Sequence, residues 1–164
     1  MRLKIVYFLS LLFAALAFVP TGAHLLELPN KISLSRSDYL VVQQNYAGWA
    51  LLGIVVFGAL ISSLVLTIML RGTGRAFYCS LAAFLCIVGT QVIFWTYTFP
   101  ANQATANWTM LPNNWIELRR NWEYSHAASG VLNFAAMVLL ILSGLIKSQL
   151  SPVLSHDGTK MGQL

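Results

Sequence analysis

Charge is the scarcest thing in this sequence. Only 9% of its 164 residues are Asp, Glu, Lys or Arg, against about 25% in a soluble domain. Ten basic and five acidic groups do not wet the surface of an 18.1 kDa globule. That shortage excludes an ordinary water-soluble domain, a disordered chain and a nucleic-acid binder. The net charge of +5 rests on so few groups that membrane topology accounts for it. Cysteine is nearly absent too. Cys79 and Cys86 are seven residues apart on one helix face, about 10 Å at 1.5 Å rise per residue, too far for a disulfide. No CxxC, zinc spacing or c-type haem attachment motif occurs. The length allows one unit, and no internal repeat stands out.

What is there is apolar: 57% of residues are hydrophobic, with a mean hydropathy of +0.68. A membrane span needs about 20 apolar residues. Four runs qualify, at residues 5–28, 47–70, 76–98 and 126–146. The predicted fold is an all-α transmembrane four-helix bundle. Two longer connections, 29–46 and 99–125, form a loop and short-helix cap at one end, and a polar tail covers 148–164. The first run also has the form of a cleaved signal: Arg2 and Lys4, then an apolar stretch, then Thr21, Gly22 and Ala23. We read it as a true span. Arg2, Lys4, Arg71, Arg75, Lys147 and Lys160, with Asp157, then fall on one side, for a net of +5. Lys31, Arg36, Arg119 and Arg120 fall on the other with Glu27, Asp38, Glu117 and Glu123, for a net of zero. The positive side is cytoplasmic, which predicts both termini inside and both long connections outside. Tyr46, Trp49, Trp95, Tyr97, Phe99, Trp108, Trp115, Trp122 and Tyr124 gather near the outer boundary, denser than anchoring alone requires.

Polar residues concentrate at that same end. Pro112 with Asn113 or Asn114 as N-cap starts a helix. From there Trp115, Arg119, Trp122, Glu123, His126, Gly130 and Asn133 recur at three- and four-residue spacing, forming one face that enters the hydrocarbon. Arg119 and Glu123 are spaced to pair directly. On the first helix His24 and Glu27 are three apart, and Pro29 limits that helix. Ionisable groups at this depth are costly without a partner or a wet cavity, so the two sets are expected to converge. Their chemistry admits three readings. A single transition metal uses His24, His126 and a glutamate such as Glu27. A haem takes His24 and His126 as axial ligands. A buried hydrogen-bonded network pairs Glu27 with Arg119 and Glu123 with a histidine, with no ligand at all. A full di-iron site lacks carboxylates on the second and third spans.

Other features carry less. Gln91, with Trp95 and Thr98 on its face, is placed to line the same cavity. Gly53, Gly58, Ser62 and Ser63 favour close helix packing. Residues 43–46 suit a lid or an N-cap. Asn107, Trp108 and Thr109 match a glycosylation sequon, and His156 is read as solvated.

At these same residues the chain resembles a known group. GAHLLELPNKI, DYLVVQQNYAGW and FPANQATANWTMLPNNWIELRRNWEYSHA are similar to bacterial four-span proteins of the anthrone-oxygenase-like family. The likeness runs over residues 20–146. Its most specific part, NW…LR..WE..H, falls on Asn114, Trp115, Leu118, Arg119, Trp122, Glu123 and His126. The resemblance implies a bacterial inner-membrane protein and oxidation of anthrones by dioxygen without a conventional cofactor. Two functions follow as expectations. In the first, the protein is an oxidoreductase or oxygenase whose lipophilic substrate enters from the bilayer. Trp95, Trp108, Trp115 and Trp122 wall the site, Asn102 and Asn107 contact the substrate, His126 or His24 is the base, and Arg119 stabilises an oxyanion beside Glu123. In the second, it is an accessory subunit of a larger membrane protein complex. A transporter, which would show inverted repeats and broken helices, ranks behind both.

Overall fold

The computed structural model describes the backbone of residues 1–157 and the side chains of residues 1–149. Among the described residues there is no strand. Four long helical stretches, Arg2–Lys31, Trp49–Met69, Arg75–Ala104 and Trp115–Gln149, are long and apolar enough to cross a membrane. Helix α1 covers Arg2–Lys31, α2 Arg36–Gln43, α3 Gly53–Met69, α4 Arg75–Ile93, α5 Phe99–Ala104 and α6 Trp115–Asp157. The 3-10 turns Gln44–Tyr46 and Trp49–Leu52 lead into α3, and a π-helical turn, Phe94–Thr98, joins α4 to α5. The integral membrane, all-helical bundle expected from the apolar runs is therefore present.

Helix α1 continues through Pro20 and Pro29. A proline removes one backbone donor, and a membrane helix tolerates this where neighbours and hydroxyls re-satisfy the backbone. Beside Pro20, the Thr21 hydroxyl donates to the carbonyls of Ala17 and Phe18, both at 3.2 Å. Pro29 does not end the helix, which runs two residues further to Lys31. The π turn falls just before Pro100, where a wider turn absorbs the missing amide. Helix α6 starts at Trp115, after Asn114, whose carbonyl accepts from the amides of Glu117 and Leu118. It is 43 residues long, about 65 Å, and is continuous from the cap through the fourth span to Asp157. The tail boundary expected at 148 is thus not a helix end. His156 and Lys160 lie outside the described side chains.

Helix α1 packs along α6 and α3, and α4 packs along α6 and α3. The hydrogen bond between Tyr7 and Ser143 and the ring contact between His24 and His126 set α1 and α6 antiparallel. The half nearer the termini has a dry core of Ala14, Ala59, Leu66, Leu70, Ala83, Ile87, Ala136 and Leu140. Alanines let the backbones approach, which is how helices associate where lipid is as apolar as leucine. The serines and threonines buried there satisfy themselves: Ser63 donates to Ala59 O at 2.6 Å and Thr67 to Ser63 O at 2.8 Å. Ser143 donates to Ala76 O and contacts Tyr7, tying α4, α6 and α1 together. Large apolar side chains such as Phe8, Phe57, Ile61 and Val92 point outward, as a lipid-facing surface requires. The tight turn between α3 and α4 needs Gly72 and Gly74, whose φ angles are +80° and +61°.

The cap is built on α2. Ser35 is its N-cap: the hydroxyl accepts from Asp38 N and donates to the Asp38 carboxylate at 2.7 Å. That start fixes the phase that turns Tyr39 and Gln43, four residues apart, inward. The two long connections are then laced together. Arg36 donates to Leu111 O at 2.6 Å, Gln44 to Trp108 O at 3.3 Å, and Arg119 to Leu34 O at 2.8 Å. A second apolar cluster, Tyr39, Ala101, Trp108, Leu111 and Trp122, fills the space beneath.

Candidate functional site

Where α1 and α6 meet the cap, polar side chains from both ends of the sequence converge. The helices approach closely at Gly130, where a Cβ would sit 2.7 Å from the Thr21 carbonyl oxygen. Asn133 donates to the Thr21 hydroxyl at 3.1 Å one turn deeper. One turn toward the cap, the His24 and His126 rings pack against each other with centroids 4.3 Å apart and planes tilted by 39°. Trp122 lies 4.3 Å from His126 and 4.8 Å from His24, and Tyr46 and Trp49 lie 4.5 and 5.8 Å from His24. His24 is buried and His126 half-buried. Neither ring makes a hydrogen bond among the described residues. The nearest partner, Glu27 Oε2, is 3.8 Å from His24 Nδ1, beyond bonding distance, and that buried nitrogen is unpartnered.

A second group sits nearer the cap. Lys31 and Glu123 form a buried ion pair at 2.9 Å. Tyr39 donates to the same carboxylate oxygen, Oε1, at 2.9 Å, while Oε2 is buried without a partner. The Lys31 ammonium also lies 4.4 Å from the Tyr46 ring centroid and 4.8 Å from that of Trp122, so aromatic faces replace its lost hydration. Tyr46 donates to Glu27, which Lys31 approaches at 3.9 Å. Burial first, then the adjoining carboxylates of Glu123 and Glu27, push the Tyr39 and Tyr46 phenols well above their ordinary value. Both stay O–H donors over any working pH.

The residues singled out in the sequence divide accordingly. His24, Glu27, Trp122, Glu123 and His126 come together. Arg119 does not pair with Glu123 or Glu27. Buried itself, its guanidinium caps Leu34 O and lies 4.7 Å from the Trp115 ring and 5.4 Å from Tyr39. Lys31, on the last turn of α1, reaches Glu123 first. Nor does Glu123 meet a histidine, so the network of Glu27 with Arg119 and Glu123 with histidine is replaced by Glu27–Tyr46 and Glu123–Lys31–Tyr39. Asn102 and Trp108 belong to the cap core: Asn102 Oδ1 accepts from Trp108 at 3.1 Å and from Trp122 at 2.8 Å. Trp95 is exposed, with ring contacts to Phe94 and Phe99. Asn107 is exposed on a left-handed turn formed by Ala106, Asn107 and Trp108. Gln91 donates to its neighbour Thr90, and Thr98 bonds Ser125 at 2.7 Å.

The ligand sets do not match a metal or a haem. Among the described residues no group of three His, Cys, Asp or Glu is arranged to hold an ion. Two axial imidazoles on one iron have ring centres roughly 6 Å apart, given metal–nitrogen bonds of about 2 Å. The packed pair at 4.3 Å leaves no room for a macrocycle between them.

Sequence reasoning did not bring Lys31, Tyr39, Gln43, Tyr46 or Trp49 to the histidines, although it set Tyr46 and Trp49 in the outer aromatic belt and 43–46 in a lid or N-cap. A signal existed for the first: Lys31 is four residues after Glu27 and seven after His24, on one face if the helix passes Pro29. Tyr39 and Gln43 share the face of a capped helix. Tyr46 and Trp49 carry no periodic signal, since they lie in 3-10 turns. Compared with family models, curated proteins and solved structures, the chain matches none.

Proposed function

We propose that this membrane protein is an oxygenase-type oxidoreductase that acts on a lipophilic carbon acid at the paired imidazoles of His24 and His126. One observation carries the reading: two packed histidines in an aromatic box, neither spent on a hydrogen bond. A bracing histidine is held by its N–H and its lone pair. This pair leaves its nitrogens for a substrate. Half-buried His126 is the base and His24 the ring packed behind it. Trp122, Tyr46 and Trp49 supply flat apolar walls for a planar aromatic substrate. Lys31, rather than Arg119, is the cation closest to the pair, since it lies against the same Tyr46 and Trp122 rings. It stabilises the developing anion.

The resemblance to anthrone oxygenases supplies the substrate class. His126 takes a proton from an activated CH2 group. The carbanion adds dioxygen as the oxidant, forming a C–O bond. The peroxide recovers the proton; the imidazole then takes the remaining C–H proton as the O–O bond breaks, the C–H electrons form the carbonyl, and hydroxide with that proton leaves as water. The net change is one CH2 and one O2 to one C=O and one H2O.

The test is His126→Gln. An amide neither titrates near neutral pH nor serves as a base. Oxygen uptake with anthrone in detergent should fall at least about a hundredfold, the usual share of a general base. Because His126 makes no hydrogen bond, melting should stay within about 1 kcal/mol of the parent. Undiminished uptake, or a folding defect with no uptake by the parent, would overturn the reading.

A second reading, an accessory subunit in a larger membrane complex, draws on the buried pairing of Lys31, Glu123 and Tyr39. That pairing fixes α1, α2 and α6 without any ligand. Co-purification with a stable larger assembly, with no oxygen uptake, is its signature.

A further inference from the structure

A separate groove lies away from the histidines. An open groove of about 690 Å³ runs between the π turn and the opposite face of α6. Its upper part carries Glu117, Arg120 and Asn121, its middle Tyr97 and Tyr124, and its lower part is apolar, with Ile93 and Ala128. The buried bond between Thr98 and Ser125 sets these levels opposite one another. From Glu117 to Ala128 the groove descends about 16 Å along α6. It therefore passes from headgroup depth, marked by the two tyrosines, into the hydrocarbon.

Glu117 and Arg120 are three residues apart in this groove, both exposed. Neither makes a salt bridge or a side-chain hydrogen bond among the described residues. One lone cation would suit an anionic lipid. A cation and an anion side by side, both unpaired, complement a headgroup that itself carries both signs. Phosphate meets Arg120, and an ammonium meets Glu117. A primary ammonium also donates hydrogen bonds, which the Glu117 carboxylate and the Asn121 amide oxygen accept. A quaternary ammonium has none to donate. We infer that this groove binds one phospholipid with a zwitterionic, primary-amine headgroup of the phosphatidylethanolamine type, with its upper acyl chain along Ile93 and Ala128. This site is separate from the histidines and does not depend on their chemistry.

Native mass spectrometry of the full chain, from micelles doped with equal amounts of phosphatidylethanolamine, phosphatidylcholine and phosphatidylglycerol, reads the adducts by mass. The single-lipid adduct should favour phosphatidylethanolamine by about two- to fivefold, the worth of one exposed ion pair. Glu117→Gln should reduce that preference to parity with phosphatidylcholine. Arg120→Gln should lower all phospholipid adducts about fivefold. Asp38→Asn, remote from the groove, should change nothing. Both groove variants alter exposed groups, and unchanged melting confirms that they fold. Equal adducts of all three lipids, a preference for phosphatidylglycerol, or insensitivity to both variants would overturn the assignment. A co-purifying partner helix that protects Tyr97 and Tyr124 from labelling would also overturn it.

Discussion

Near the termini, helices α1, α3, α4 and α6 meet through Ala14, Ala59, Ala83 and Ala136, and each buried hydroxyl is mostly returned to its own helix. At the cap end, α1, α2 and α6 meet through Lys31, Tyr39 and Glu123, whose partners lie far away in sequence, while His24 Nδ1, the Gln43 amide, Arg119 Nε and Glu123 Oε2 are buried without a hydrogen-bond partner among the described residues. The first half is held by dispersion and close approach, and losses there scale with volume. The second is held by buried charge, and losses there scale with what is left unpaired. The contrast also separates stability from chemistry. The Lys31–Glu123 pair is formed through one carboxylate oxygen, whereas the imidazoles one turn below it are packed but unbonded.

The comparison is broken most forcefully at Glu123. Glu123→Ala leaves the buried Lys31 ammonium without its carboxylate and should cost about 3–5 kcal/mol in unfolding titrations in mixed micelles. Replacing both partners, as Lys31→Met with Glu123→Leu, should cost less than either single change. If the double variant is the worst of the three, the pair is not what holds the cap. In the dry half, Leu140→Ala opens a cavity in a fully buried position and should cost about 3 kcal/mol, with no sensitivity to the cap variants.

Gly130 marks the boundary between the halves. A Cβ there would meet the Thr21 carbonyl at 2.7 Å, so Gly130→Ala should cost about 1–3 kcal/mol by forcing α1 from α6. It should also lower the proposed oxygen uptake, because the same shift separates His24 from His126. A variant with wild-type melting would show that the close approach is not tight. The smallest effect is expected at Tyr7→Phe. It removes the hydrogen bond to Ser143, but Ser143 keeps its bond to Ala76 O. A loss of about 0.5–1.5 kcal/mol is expected by thermal melting.

Particular residues show how far the sequence could be read. The face of Trp122, Glu123, His126, Gly130 and Asn133 was legible because helical spacing needs no partner to be recognised. His24 and Glu27 were legible for the same reason. Lys31 was not, because Pro29 reads as a stop. Its burden is one missing donor, which a packed helix end tolerates. Arg119 was assigned to Glu123 because i,i+4 spacing brings them close. Across the bundle, the Leu34 carbonyl competes for the same guanidinium, and Lys31 competes for the same carboxylate. Such competition is invisible in a linear pattern.

By itself, then, the sequence determined the class and the spans. Shortage of charge and four apolar runs leave only a membrane bundle, because hydrocarbon admits no unsatisfied backbone. It also determined which end of the bundle is polar, through the clustering of amides, tryptophans and histidines. Tertiary structure alone decided who pairs with whom. It packed His24 against His126 at a spacing that admits no haem, handed Glu123 to Lys31 and Tyr39, gave Arg119 to the Leu34 carbonyl, and turned Trp95 and Asn107 out of the site. The physical reason is that periodicity fixes the face of one helix. The partner of a buried charge is whichever group, from any part of the chain, the packing brings within about 3 Å.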